Sequence, residues 1–156
     1  MNDSYVNIVL VCLDGDFNRL VCKELAEKLD MFFADLGDYI EYDLLDSKAI
    51  LEKCGLEYLN EREYGAAKSF AKFENAVLTV GYDLFKQNRS AFTKSSLIVY
   101  LRLSKKWIDK KETINLLSFE WRDEYLASQS GLIIQLKSKA KTKAINEVMQ
   151  GLQEAL

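Results

Sequence analysis

Two carboxylates and a guanidinium crowd into one short turn, Cys12-Leu-Asp-Gly-Asp-Phe-Asn-Arg-Leu20, directly after the apolar run Val6–Cys12. If that run is a strand of an open α/β sheet, the turn at its carboxyl end is where a ligand would sit. Asp14 and Asp16 make it a poor cradle for a polyanion. Like charges about 4 Å apart repel by roughly 4 kcal/mol at an effective dielectric near 20, against the ~0.3–1 kcal/mol that a helix N-terminus offers each anion. Arg19 can neutralise one of the two acids. The expectation is that an Asp14 or Asp16 carboxylate itself occupies the helix N-terminus, in place of a bound anion. No histidine occurs anywhere in the chain, which removes Ser-His and Cys-His nucleophiles, histidine bases and the commonest zinc ligand together. Cys12, Cys22 and Cys54 are odd in number and show no C-x-x-C spacing. They read as small apolar residues of a reducing compartment, not as a disulfide frame or a metal site.

The elements that position this turn follow from the apolar pattern. Val6–Cys12, Ala76–Val80, Leu97–Leu101 and Leu132–Leu136 are compact runs rich in β-branched residues, without polar alternation. Strands buried on both faces look like this, which predicts a parallel sheet covered by helices. Met31–Ala34 is a shorter fifth candidate. Between them, Arg19–Leu29 spaces Val21, Leu25 and Leu29 on one helical face with Asn18 as N-cap, Leu56–Asn75 carries a similar stripe, and Thr142–Leu156 is amphipathic. Strand and helix in alternation predict right-handed βαβ units. With 156 residues, and no linker or repeat, one domain over 1–156 suffices. A composition of 49% hydrophobic and 29% charged residues fits a soluble globular protein. The net charge of −3 argues against a broad nucleic-acid or membrane footprint. The one basic cluster, Lys137–Lys143, reads as a solvated loop leading into the last helix. Val6–Leu13 is too short to span a membrane and lacks the basic flank of a signal peptide, so a cytoplasmic location is expected.

Along almost its whole length the chain resembles shikimate kinases. Leu25-Ala-Glu-Lys-Leu29, Phe33-Ala-Asp35 with Ile40-Glu41, Glu61-Arg62, Val77-Leu-Thr-Val-Gly81, Val99-Tyr-Leu101 and Arg122-Asp-Glu-Tyr125-Leu-Ala127 occur in that family's order and approximate spacing. The resemblance implies a three-layer P-loop kinase fold with a five-stranded parallel sheet. It also implies an ATP:shikimate phosphotransferase ancestry, with the family's phosphate loop, G-x-x-x-x-G-K-[ST], at the first turn. There this chain departs. Cys12 and Phe17 stand for the two glycines, Asn18 for the lysine, and Arg19 for the magnesium-binding hydroxyl. Phe17 makes the curl around phosphate costly, Asn18 lacks the cation that offsets charge on the transferring phosphoryl group, and Arg19 cannot ligate magnesium.

Elsewhere the resemblance is mixed. Asp35 matches the family's magnesium-associated aspartate, but Gly37 replaces the substrate-binding aspartate, with Asp38 one residue off. Gly81 keeps one of three glycines. The lid that opens with Arg-Pro-Leu-Leu in the family corresponds to Ile114–Leu117, and Arg122 follows too soon for a closing flap. Arg62 and Arg122 occupy positions that grip the substrate carboxylate, which keeps shikimate or another small carboxylate as the implied partner; pairing with nearby acids is the competing reading. These losses predict a protein without ATP, magnesium or phosphoryl transfer, acting as a binding, regulatory or interaction module. The alternative is an active kinase with a rearranged loop, in which Arg19 or Lys110 supplies the cation, Asp35 acts in catalysis and ATP with Mg is bound.

Overall fold

A computed structural model describes residues 5–108 and 118–155. The chain alternates strand and helix in the order β1 (Asn7–Val11), α1 (Gly15–Leu29), β2 (Phe32–Asp35), α2 (Leu36–Leu44), α3 (Ser47–Cys54), α4 (Leu56–Phe70), β3 (Ala76–Val80), α5 (Tyr82–Gln87), β4 (Ser96–Arg102), α6 (Phe119–Gln129), β5 (Leu132–Gln135) and α7 (Lys141–Ala155). All five strands form one sheet in the order β2-β3-β1-β4-β5, and every pairing is parallel. This is the predicted α/β architecture.

The order has a functional consequence. From β1 the chain crosses over β3 to reach β2, then works back through β3 to β4 and β5 on the far side. Right-handed crossovers therefore put α1 on one face and the connections after β2 on the other. The crossover direction reverses beside β1, so a crevice opens beyond the carboxyl ends of β1 and β3.

Burial separates the centre of the sheet from its edges. β1 and β3 are buried at every position and β4 at all but its last, whereas β2 and β5 have exposed residues. The expectation of two-sided burial holds for the three central strands only, because an edge strand has a neighbour on one side. Two helix boundaries also differ from the sequence reading. Helix α1 begins at Gly15 and is capped by Asp14, so Asn18 lies inside the first turns and not at the cap. Helix α4 ends at Phe70, and Phe73 falls in the connection to β3.

Where α7 crosses β5, Gly151 sets the spacing. A Cβ there would lie 2.8 Å from Ile134 Cδ1 and 2.9 Å from Cγ1. Gly151→Ala is expected to lose about 1 kcal/mol by overpacking, despite alanine's better helix propensity. A lower urea midpoint at unchanged slope would register it. Gly65, in α4 with nothing within 4 Å of the added Cβ, should gain stability from the same change.

Candidate functional site: the turn after the first strand

Only Cys12, Leu13 and Asp14 separate β1 from α1. The segment that would wrap a phosphate is already helical from Gly15. Asp14 adopts an extended backbone (φ −102, ψ 103) and caps the helix. Its Oδ1 accepts from Phe17 N at 3.0 Å, and its carbonyl accepts from Asn18 N at 2.9 Å. The other carboxylate oxygen, Oδ2, accepts from Lys139 Nζ at 2.5 Å. Asp14 is almost fully buried, with its side chain 5% exposed. The Lys139 ammonium also lies 5.7 Å from the centroid of the Phe17 ring. A carboxylate of the chain thus holds the helix N-terminus, and a lysine of the chain compensates it.

The positions beyond are equally engaged. Buried Asn18 donates from Nδ2 to Leu10 O at 2.9 Å, which ties α1 to its own strand; its Oδ1 is buried without a hydrogen-bond partner among the described residues. Arg19 bonds Asp38 Oδ2 at 3.0 Å and lies 3.7 Å from Asp35 Oδ2. Asp35 caps α2 by accepting from Asp38 N at 3.0 Å, and its Oδ1 accepts from the Thr79 hydroxyl at 2.7 Å. A cleft of about 240 Å³ opens here, at the reversal point of the sheet. Its lining includes Gly15, Asp16, Asn18, Arg19, Asp35 and Gly81. Cys12 and Asp14 are buried and do not line it.

A sequence profile described as shikimate kinase matches residues 19–153. The chain belongs to the shikimate kinase family. A shikimate kinase from Acinetobacter baumannii, solved in complex with shikimate, superposes with a TM-score of 0.69 at 22% identity, covering 97% of this chain and 96% of that one. The Bacteroides thetaiotaomicron shikimate kinase gives 0.68 at 22% identity, covering 96% and 97%. Human glutathione S-transferase Mu 5 is 34% identical over a stretch covering 40% of this chain. The chain spans 36% of that relative's length, so this match is local, whereas the shikimate kinase matches span the fold.

The remaining predicted residues are not gathered on the cleft. Arg122 stacks 4.2 Å from the centroid of Tyr82, donates from Nε to Ser118 Oγ at 2.6 Å and lies 3.7 Å from Asp83 Oδ1. It pairs with an acid, as the competing reading had it, but with Asp83 and not with a neighbour on its own helix. Arg62 is exposed on α4 and makes no ion pair among the described residues. Neither lines the cleft. Ile114–Leu117 and Lys110 lie outside the described residues. Among the described residues no helix is long and apolar enough to cross a membrane.

Two participants at the turn, and a polar knot away from it, were missed in the sequence. Lys139 sat within a run read as a solvated loop leading into the last helix; Lys137, Lys141 and Lys143 are exposed as that reading had it, Lys141 meeting Glu24 Oε1 at 2.6 Å, but Lys139 turns inward to Asp14. The Lys141 hydrogen bond and charge hold the Glu24 carboxyl below its usual range. The available signal was position, since the segment after β5 also emerges at the carboxyl end of the sheet. Thr79 was visible as the one polar residue of an apolar strand. In the knot, Asp123 Oδ1 accepts from Tyr100 Oη at 2.6 Å and from Arg102 Nε at 2.9 Å, while Oδ2 accepts from Arg102 Nη2 at 2.6 Å.

Proposed function

We propose that this member of the shikimate kinase family does not bind ATP at the β1–α1 turn and does not transfer phosphoryl groups, and that it serves as a binding or regulatory module. The observation that carries this reading is the buried Asp14–Lys139 pair at the N-terminus of α1. A nucleotide phosphate placed there would have to expel a bound carboxylate, and the cations nearby among the described residues, Lys139 and Arg19, are already paired with aspartates of the chain. Magnesium fits no better. The position of the metal-binding hydroxyl carries Arg19, and Asp35 is occupied by Thr79, by Asp38 N and by the nearby Arg19 guanidinium. Phosphoryl transfer depends on positioning and charge neutralisation, and the groups supplying both are tied to one another inside the fold. Of the two arginines that the family resemblance assigns to a carboxylate, Arg62 is the one without an acidic partner among the described residues.

A thermal-unfolding panel with ATP–Mg, ADP–Mg and shikimate tests the reading. A ligand at a hundredfold excess over its Kd adds about 2.7 kcal/mol to stability, so a real site is not missed. The expected result is no shift with either nucleotide at millimolar concentration. Saturable stabilisation by ATP–Mg, or shikimate-dependent release of ADP by the purified protein, would return the chain to the active kinases.

A further inference from the structure

At the opposite end of the sheet, a second cavity of about 460 Å³ opens where β4 and β5 begin. Its walls include Tyr5, Arg89, Lys94, Ser96, Gln129 and Gly131. Among the described residues no acidic side chain lines it, although the chain carries 24 of them. Arg89 is half-buried and held rigidly by neutral oxygens: Nε donates to Gln129 Oε1 at 3.0 Å, Nη1 to Phe92 O at 2.8 Å, and Nη2 to Gln129 O at 3.3 Å. Three of its five N–H groups are used, and the charge is not met by a carboxylate among the described residues. Arg62 also lacks an acidic partner among the described residues, but it is exposed on α4, whereas Arg89 is half-buried. Arg19, Arg102 and Arg122 each lie against an aspartate. Lys94 brings a second positive charge to the same cavity, and the Ser96 hydroxyl is buried with no hydrogen-bond partner among the described residues.

We propose that this cavity is a binding site for a small organic oxyanion, a carboxylate or a phosphate monoester, remote from the cleft at the β1–α1 turn. A pre-positioned guanidinium with spare donors suits a planar or tetrahedral oxyanion, and its fixed geometry reduces the ordering cost of binding. The Lys94 ammonium adds long-range attraction, and the Ser96 hydroxyl supplies a neutral donor. Tyr5 and Phe92 border the cavity and leave room for an apolar or ring-bearing body behind the charged head. The volume falls within the ordinary range for small-molecule sites.

The test is a titration of the full chain with inorganic phosphate and, separately, with benzoate, followed by amide resonances in two-dimensional NMR. Saturable shifts are expected at Tyr5, Lys94, Ser96 and Gly131, with Gly15–Arg19 unmoved. Whichever anion binds more tightly assigns the head group. Lys94→Gln, at an exposed position without a structural hydrogen bond, should weaken binding roughly fivefold while leaving the spectrum folded. Arg89→Lys, which keeps the charge but loses the fork, should weaken it roughly tenfold. The proposal fails if neither anion gives saturable shifts, if the shifts centre on Gly15–Arg19, or if both variants bind as the parent does. The last result would mark a general salt effect on stability and not a site.

Discussion

Lys139→Ala is expected to destabilise the protein by about 3 kcal/mol, because it leaves the Asp14 carboxylate buried without its cation. Among the described residues, the Asp14 carboxylate would keep only the Phe17 amide as a partner, too little to replace water for a side chain that is 5% exposed. Lys139 itself is 28% exposed, which places the loss toward the lower end for a broken buried pair. The comparison that isolates the cause is Asp14→Asn with Lys139→Met. Asparagine still caps the helix, no charge is buried, and the double variant should recover most of the loss. Urea unfolding of the parent, both single variants and the double variant forms a closed cycle, with a coupling energy expected above ~1.5 kcal/mol. If Lys139→Ala unfolds within about 0.5 kcal/mol of the parent, the ordinary range for a surface substitution, the pair is not what seals the turn. High salt should change the parent little, since buried pairs are weakly screened.

The second large effect lies away from the cleft, in the knot that joins β4 to α6. Asp123→Ala removes the acceptor of the fully buried Tyr100 hydroxyl and the carboxylate that receives both arms of Arg102. A loss of about 3 kcal/mol is expected, most of it from stranding polar groups and only part from the bonds themselves. Tyr100→Phe removes the stranded hydroxyl instead of abandoning it and should cost only about 1 kcal/mol. A larger loss for Tyr100→Phe than for Asp123→Ala would overturn this account of the knot. The same residue has a pH signature. Burial first, and then the hydrogen bond and charge of Asp123, push the Tyr100 phenol far above its ordinary value. The folded state therefore retains a proton that the unfolded state releases near pH 10. This contribution is intact below that pH and declines as pH rises past it. Absorbance near 295 nm should show Tyr100 ionising only as the chain unfolds.

Much of the architecture was legible from local pattern. The runs at β1, β3 and β4 are apolar on both faces because they occupy the middle of the sheet, and the run for β3 matches the strand to the residue. The edge strands were harder. β2 is short and partly exposed, so its apolar signal is weak. At the β1–α1 turn, the residue types alone showed two aspartates and an arginine gathered after the first strand. Asn18 misled the reading of the cap, since an asparagine before an apolar stripe is a common N-cap, whereas here it is buried and spends its amide on Leu10 O. The true cap, Asp14, had been singled out for its charge.

Sequence alone determined the parallel α/β sheet and the absence of histidine chemistry, because burial period and side-chain type are local properties. Tertiary structure alone decided which charges meet. Lys139 reaches Asp14 across 125 positions, Arg19 turns to Asp38 and Asp35, Arg122 to Asp83, and Arg89 to no acid among the described residues. Those partnerships depend on which segments the crossovers bring together beyond the ends of the strands. Nothing in the spacing of the chain encodes that separately from the fold itself.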